Sequence, residues 1–246
     1  SLNKACGFEA LDEYWLAVAI CTNESNDIDR SECLNDASAA KSEKSQLCRE
    51  QFQGRKDFCR ASSEARYDPN FDQQLFESDY TALPSLNPYF PIAIGNYWEF
   101  AGGGETVTVE ILNQTKLIDD VTCIVSRDIV YKNGELVEAT DDWLAQAKDG
   151  NIWYCGEEVK DYETFPADNP ALPELVSIDG SFKVDRDGTK AGVLYPRYPV
   201  EGQVYREEFS LGNAEDISEV ESANYTYGDD EDLDQWMPAD LGALMC

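Results

Sequence analysis

Apolar residues near the N-terminus recur with the period of an α-helix. In residues 8–22 they come every three or four positions with acidic residues between them, which predicts an amphipathic helix. The segment 23–28 is rich in turn and N-cap residues. Residues 29–64 are rich in Ala, Glu, Lys, Gln and Arg and contain no proline, which predicts a long second helix. The recurring positions of the first helix are Phe8, Leu11, Trp15, Val18 and Thr22.

From Gly95 onward the pattern changes to short segments that alternate with period two and are separated by tight turns. Asn133-Gly134 and Asp149-Gly150 are hairpin signals. Strands are predicted at 97–100, 106–111, 123–125, 129–131, 136–137, 143–147, 152–155, 181–184, 192–195, 204–209 and 217–225. This succession indicates an antiparallel meander, curved into a half-barrel, a barrel or a sandwich.

The predicted fold class is therefore α+β, with three parts in chain order. Residues 1–65 form a disulfide-stapled helical hairpin, 66–94 an extended linker, and 95–246 a mostly antiparallel β domain with a curved sheet. Prolines in the linker block helix formation, and its aromatic residues indicate a segment that packs down onto the protein.

The chain has eight cysteines and no histidine. Zinc sites built from Cys and His, and catalytic Cys–His or Ser–His pairs, are therefore excluded in their usual forms. No Cys-x-x-Cys pair occurs, so we expect disulfides and an oxidising compartment, outside the cell or in the periplasm.

The cysteine spacing predicts how the hairpin is stapled. Cys6 to Cys21 and Cys33 to Cys48 each span fifteen residues, so two antiparallel helices bring Cys6 to Cys48 and Cys21 to Cys33. An alternative nesting pairs Cys21 with Cys59 and Cys33 with Cys48, but it requires a turn within an Ala- and Lys-rich stretch that favours helix. The preferred full set is Cys6–Cys48, Cys21–Cys33, Cys123–Cys155 and Cys59–Cys246.

The chain shows neither a membrane span nor a signal peptide. Its longest apolar-rich stretch, Tyr14 to Cys21, is too short to cross a bilayer. No basic segment followed by an apolar one begins at Ser1, so we expect an export signal to have been removed.

A formal net charge of −30 limits the classes of molecule that the protein is expected to bind. It disfavours nucleic acids and anionic membranes, and it serves either solubility or the binding of divalent cations. The most specific calcium signal is a partial EF-hand loop, in which Gln73 stands where the sharp turn needs glycine. The alternative for this segment is a solvated acidic loop. Its predicted ligands are Asp68, Asn70, Asp72 and Asp79.

Known catalytic motifs do not occur in the sequence. It has no nucleophile elbow, phosphate loop or dinucleotide fingerprint. A hydrolase that uses paired carboxylates stays open as an alternative, but with 49 acidic residues the sequence nominates no catalytic residue.

Four motifs stand out in the second half of the chain. They are NPYFP at 87–91, GNYW at 95–98, AKDGNIWYCGE at 147–157 and GQVYREEF at 202–209. In these motifs the chain resembles an uncharacterised family of exported bacterial proteins, over roughly residues 85–228 and more loosely in the cysteine-bearing hairpin. The resemblance implies export and further strands beyond the position of Cys246, but no activity.

Aromatic residues are concentrated in the predicted strands. They serve either as core or as the lining of an apolar site on a curved sheet. The predicted function is an exported, acidic binding module without a catalytic role, whose β domain meets a protein or a small apolar ligand. The alternative is a calcium-stabilised extracellular component. The predicted ligand-binding residues are Trp98, Trp143, Trp153 and Tyr154.

Overall fold

The computed structural model describes residues 2–61, 66–226 and 228, in two compact units, Ser1–Arg66 and Tyr67–Cys246. In the described part of the first unit, two helices form a hairpin: α1 (Leu2–Cys21) and α2 (Asp27–Ala61). The turn before α2 is capped by Asn26, whose Oδ1 accepts a hydrogen bond from the backbone N–H of Ile28 at 2.8 Å. This bond satisfies one of the amide groups that a helix start leaves without an intrahelical partner.

Two disulfides connect α1 to α2 within the described residues. Cys6–Cys48 and Cys21–Cys33 have Cα separations of 5.8 and 5.6 Å, which confirms the predicted hairpin register. The alternative nesting through Cys59 is wrong, because Cys21 and Cys48 already have these partners. Lys44 adds an ion pair between the helices, with its Nζ 3.3 Å from Glu13 Oε1.

The second unit is built from short strands, of which the described residues contain twelve. They are β1 (Tyr97–Gly102), β2 (Glu105–Ile118), β3 (Val121–Lys132), β4 (Glu135–Gln146), β5 (Ile152–Glu158), β6 (Asp161–Thr164), β7 (Pro173–Ser177), β8 (Phe182–Lys183), β9 (Lys190–Tyr195), β10 (Val204–Arg206), β11 (Glu208–Phe209) and β12 (Ile217–Glu219). A 3₁₀ turn at Gln73–Leu75 precedes them.

The main sheet runs β1-β2-β3-β4-β5-β9-β11, and each of these neighbouring pairs is antiparallel. β6 and β7 form a hairpin attached to β4, β8 pairs with β5, and β10 and β12 form a separate two-stranded ladder. The sheet curls through 209° into a half-barrel, which confirms the predicted α+β class.

Turn chemistry explains the three long central strands. Asn133 and Gly134 have φ angles of 52° and 86°, as the predicted type I′ turn between β3 and β4 requires. Asp119 and Asp120 turn the chain between β2 and β3 at φ 46° and 63°, a turn that the sequence did not predict. The segments predicted as two strands at 123–125 and 129–131 are one continuous strand, β3.

The sheet has an apolar core on each of its two faces. We name the faces after two neighbouring residues of β5, Tyr154 and Trp153, because successive residues of a strand point to opposite faces. The even-numbered residues from 124 to 130 in β3 and from 138 to 144 in β4 point to the Tyr154 face. The buried core of the Tyr154 face consists of Tyr80, Ile92, Ile111, Ile124, Leu144 and Ile152.

The segment between the helices and the sheet covers part of both faces. Phe71 and Phe76 pack on the Trp153 face, whereas Tyr80 and Phe90 pack on the Tyr154 face. The linker predicted at 66–94 therefore belongs, from Tyr67 onward, to the β unit through its packing, as the division of the chain after Arg66 also shows.

The predicted Cys123–Cys155 disulfide is not formed. Both residues are buried free thiols, held in mutual hydrogen-bonding contact on β3 and β5. Because β4 lies between these strands, their backbones are two strand spacings apart, about 9.5 Å, which exceeds the usual Cα separation across a disulfide. The predicted Cys59–Cys246 bond lies outside the described residues, since Cys246 is not among them.

Candidate functional site

The four predicted ligand-binding residues do not lie on one face of the sheet. Trp98 and Tyr154 pack with the core of the Tyr154 face, and Trp143 and Trp153 with the core of the opposite face. Trp153 and Tyr154 are consecutive in β5, so their side chains must diverge. The structure therefore contains two separate pairs of rings instead of a single aromatic site.

On the Trp153 face, the rings serve mainly as core. Trp143 is 7% exposed, and its ring lies under the ammonium group of Lys116, 3.3 Å from the ring centroid. Trp153 is partly exposed and packs edge-on against Phe76. It also lines a small cavity of about 170 Å³ beside the turn at 147–149. This volume is below the range of about 300–1,000 Å³ that is typical of ligand sites.

On the Tyr154 face, three rings form a partly exposed stack. Phe90 lies between Trp98 and Tyr195, with centroid distances of 5.0 and 4.7 Å and an interplanar angle of 18° on each side. The stack brings the linker, β1 and β9 together. Such flat, polarisable surfaces are well suited to contact an apolar or aromatic ligand.

A larger cavity opens beside the same core. It has a volume of about 470 Å³, which lies in the range of sites for small molecules. Three of its lining residues belong to the core against which the ring stack packs: Tyr80 is one of its buried members, and Leu83 and Ile94 pack on it. Its lining residues are Tyr80, Thr81, Ala82, Leu83, Leu86, Ala93, Ile94 and Asn113.

Acidic side chains occupy the continuation of the Tyr154 face. Strand register places Asp142 of β4 directly opposite Ser126 of β3 and directly opposite Glu157 of β5. Asp128 lies on the same face, two positions from Ser126 along β3. The hydroxyl of Tyr154 donates a hydrogen bond to Asp142 Oδ1 at 2.6 Å. We call Asp128, Asp142 and Glu157 the carboxyl cluster.

Burial raises the pKa of every member of the carboxyl cluster. Desolvation brings the pKa of Asp142 to about 7, although the hydrogen bond from Tyr154 acts in the opposite direction. Desolvation and then the charge of Asp142 bring the pKa of Glu157 to about 7 as well. For Asp128, desolvation and then Glu138 raise the pKa to about 6. All three side chains are only partly buried.

Two polar atoms at the cluster lack partners. Ser126 is 1% exposed, and its Oγ has no hydrogen-bond partner among the described residues. Oδ1 of Asp128 is likewise buried and without a partner in that part of the chain. Buried polar atoms are nearly always satisfied in folded proteins, so these two atoms call for a partner that the described residues do not supply.

The predicted calcium ligands have other partners. Asp68 forms an ion pair with Lys190, 2.9 Å from its Nζ, and Asp72 caps the 3₁₀ turn by accepting from the N–H of Gln74. Asp79 accepts hydrogen bonds from the N–H and hydroxyl of Thr81. The contacts described for Asp68, Asp72 and Asp79 are with Lys190, Gln74 and Thr81, so the calcium site stays a prediction. In the described ranges, no group of three or more Cys, Asp or Glu residues has an arrangement that could hold a metal ion.

Sequence reasoning missed the carboxyl cluster. A signal was present, because Asp128 lies four residues after the buried Ile124 in β3, and Asp142 two residues before the buried Leu144 in β4. An even spacing along a strand places each aspartate on the same face as the buried residue. A charged residue at an inward position of an alternating strand is unusual unless it serves a purpose. Recognising this signal required Asp128 to be assigned to the same strand as Ile124. The sequence analysis instead predicted two separate strands at 123–125 and 129–131.

The fold and the site define a class: a curled antiparallel half-barrel that carries a ring stack and a carboxyl cluster on one face. No family model, curated protein or solved structure matches the chain. In the described ranges no helix is both long and apolar enough to cross a membrane.

Proposed function

We propose that the β unit is a non-catalytic binding module of an exported protein, and that it binds a small, largely apolar ligand on the Tyr154 face. The observation that carries this proposal is the partly exposed stack of Trp98, Phe90 and Tyr195, which packs on the same core as residues that line a cavity of about 470 Å³. Aromatic rings in a concave, mostly apolar site are typical of small-molecule binding.

Two further features support the proposal. The disulfides of the hairpin support export, because such bonds persist mainly in oxidising compartments. The net charge of −30 keeps the protein soluble and repels nucleic acids, which leaves proteins and small molecules as partners.

A neutral hydrophobic fluorophore, N-phenyl-1-naphthylamine, tests the ring stack. We expect it to bind the wild-type protein and to lose at least about five-fold in affinity in Trp98→Ala, since stacking on one ring contributes about 1 kcal/mol. Trp153→Phe, on the opposite face, is the matched control and should bind normally. Equal affinity for both variants, with melting curves showing both folded, would remove the stack as the binding surface.

One observation favours a second function, hydrolysis assisted by carboxyl groups. Asp142 and Glu157 face each other across β4 and β5, and both pKa values lie at about 7, as a general acid and base require. Assays on a panel of aryl glycosides decide this. Turnover that Asp142→Asn and Glu157→Gln each abolish would replace binding by catalysis, and no turnover by the wild-type protein would exclude glycoside hydrolysis on that panel.

A further inference from the structure

We infer that the carboxyl cluster, together with Ser126, binds the primary ammonium group of a ligand whose apolar part lies against the rings of the Tyr154 face. This inference rests on the proposed function, because it assigns a chemical class to the ligand of the same face. Acidic side chains alone would not carry it. The unsatisfied hydroxyl of Ser126 is an independent observation, since it is 1% exposed and has no partner in the described residues.

The acceptors converge from neighbouring strands. Ser126 and Asp142 are directly opposite each other, so both side chains leave the sheet on the Tyr154 face, with Cβ atoms about 5 Å apart. Asp128 follows on the same face and offers a second unsatisfied oxygen, Oδ1. A group placed among these three side chains would reach hydroxyl and carboxylate oxygens at once.

Among the described residues, no cation of the protein forms an ion pair with the cluster. None of the ion pairs formed within the described residues involves Asp128, Asp142 or Glu157. The nearest basic partner in sequence, Arg127, points to the opposite face and binds Asp141 through two hydrogen bonds of 2.7 and 2.9 Å. The cluster is thus an assembly of acids to which the described residues supply no paired cation.

The hydrogen-bond inventory favours an ammonium over a guanidinium group. Guanidinium is recognised best by both oxygens of one carboxylate, in a planar fork. Asp142 cannot offer both equally, because Oδ1 already accepts from Tyr154. An ammonium group has three donors that point in different directions, and it can bond single oxygens of several side chains. Bound there, it would also relieve the repulsion between the acids, which contributes to their raised pKa values.

The rings beside the cluster account for the rest of the ligand. Tyr154 joins the two regions, since its hydroxyl bonds Asp142 and its ring packs on the core that contains Trp98 and Tyr195. Desolvation, then the charge of Glu207 and then that of Asp142 raise the pKa of Tyr195. Aromatic faces also attract cations and cover the methylene groups next to them.

Three matched probes test the inference by calorimetry at about pH 8, where most of the cluster is ionised. They are benzylammonium, benzyl alcohol and benzyltrimethylammonium. We expect benzylammonium to bind at least about ten-fold more tightly than either of the others, because only it combines charge with N–H donors. Asp128→Asn and Ser126→Ala should each weaken benzylammonium, while Glu135→Gln, an exposed acid on β4, should leave it unchanged.

The outcomes separate the inference from the proposed function. If benzyl alcohol binds as tightly as benzylammonium, the ammonium site is wrong although the binding face stands. If no probe binds, and if N-phenyl-1-naphthylamine binds Trp98→Ala as tightly as wild type, the proposed function is wrong as well. The inference would also be overturned if benzyltrimethylammonium bound as tightly as benzylammonium, or if Glu135→Gln weakened benzylammonium as much as Asp128→Asn and Ser126→Ala do. Displacement of benzylammonium by calcium would overturn it as well. A fourth probe, N-acetyl-lysinamide, distinguishes the two sources of such an ammonium group. Tighter binding of N-acetyl-lysinamide than of benzylammonium would indicate a lysine side chain of a protein, and weaker binding would indicate a small amine.

Discussion

Asn87 shows how a single buried side chain fixes the position of a long irregular segment. It is completely buried, and its Nδ2 donates hydrogen bonds to the carbonyl oxygens of Gly150 and Tyr195 at 3.0 and 3.1 Å. Its Oδ1 accepts from the backbone N–H groups of Tyr89 and Phe90 at 2.9 and 3.1 Å. The ring of Phe90 thereby reaches the stack between its two neighbours.

We expect Asn87→Ala to lower the free energy of unfolding of the β unit by about 2–4 kcal/mol, because it leaves several buried backbone groups unsatisfied. Asn70→Ala, at an exposed position, is the matched control and should change it by less than about 0.5 kcal/mol. Urea unfolding followed by tryptophan fluorescence measures both. Equal midpoints for the two variants would show that the Asn87 contacts contribute little.

Cys123 and Cys155 provide a second test at the level of single residues. Both are 0% exposed, and burial, followed by the hydrogen bond that the Cys155 thiol makes with Cys123, raises the pKa of Cys155. We expect neither thiol to react with a maleimide in the native protein and both to react after unfolding in denaturant, because only an exposed thiolate is a nucleophile. Peptide mapping measures the labelling. A disulfide-linked peptide containing both residues would contradict the structure.

Among the elements, the hairpin depends on its disulfides. In α1 only Ala10 and Cys21 are buried, and Phe8 and Trp15 are 70% and 60% exposed, so packing between the helices stabilises them little. Closing a loop of 42 residues should stabilise more than closing one of 12, by about 1 kcal/mol.

We therefore expect replacement of Cys6 and Cys48 by serine to destabilise the hairpin more than replacement of Cys21 and Cys33. Thermal unfolding followed by the helical signal in far-UV circular dichroism gives the melting temperature of the hairpin in each double variant. Near-UV signals of the sheet serve as an internal control and should be the same in both. The opposite order of stability would mean that the shorter loop contributes by another route, such as fixing the turn before α2.

The elements that could be predicted from the sequence are those governed by local chemistry. The first helix follows from apolar positions that recur every three or four residues, and the second from a proline-free composition rich in helix formers. The hairpin at Asn133-Gly134 follows from a turn that needs positive φ angles at both positions. The hairpin of β6 and β7 was missed because neither strand has a buried residue, so neither shows alternation. β3 was split because Ser126 and Asp128 interrupt its apolar pattern.

The candidate site could be predicted only in part, for a physical reason. Trp98 and Tyr154 were identified by residue type, but which face a ring occupies depends on strand register and on bulges. A register shift between Trp143 and Leu144 in the pairing of β4 with β5 is one such irregularity. Gly156 sits beside it, where a Cβ atom would come within 2.5 Å of the carbonyl oxygen of Phe182. Such contacts join residues that are distant in the sequence, so the local pattern of apolar and polar residues does not predict them.

For the whole molecule, the carboxyl cluster predicts how stability depends on pH. The folded-state pKa values of Asp142, Glu157 and Asp128, at about 7, 7 and 6, exceed the ordinary values of 3.8 to 4.5. Between about pH 4 and pH 7 the folded protein therefore binds more protons than the unfolded chain, and stability falls as pH rises through this window. Relief of the net charge of −30 at lower pH acts in the same direction.

We expect the melting temperature to be higher at about pH 5 than at about pH 8. Asp142→Asn should be more stable than wild type at the higher pH and should depend on pH less steeply, because it removes one of the desolvated charges. Glu135→Gln, exposed on β4, should keep the wild-type slope. A wild-type melting temperature that rises between these two pH values would contradict the shifted pKa values.

The half-barrel leaves β1 at one end of the sheet order, paired in the described structure with β2 alone. Its outer backbone groups can accept a further strand, and Tyr97 and Phe100 on it are 53% and 57% exposed. Mutual repulsion between strongly acidic molecules opposes such pairing between two copies. In about 1 M salt the screening length falls to about 3 Å, and we expect edge-to-edge association to appear in sedimentation velocity. Phe100→Lys should suppress this association and Leu117→Lys should not. The ionic strength of its surroundings would then decide whether this protein stays monomeric.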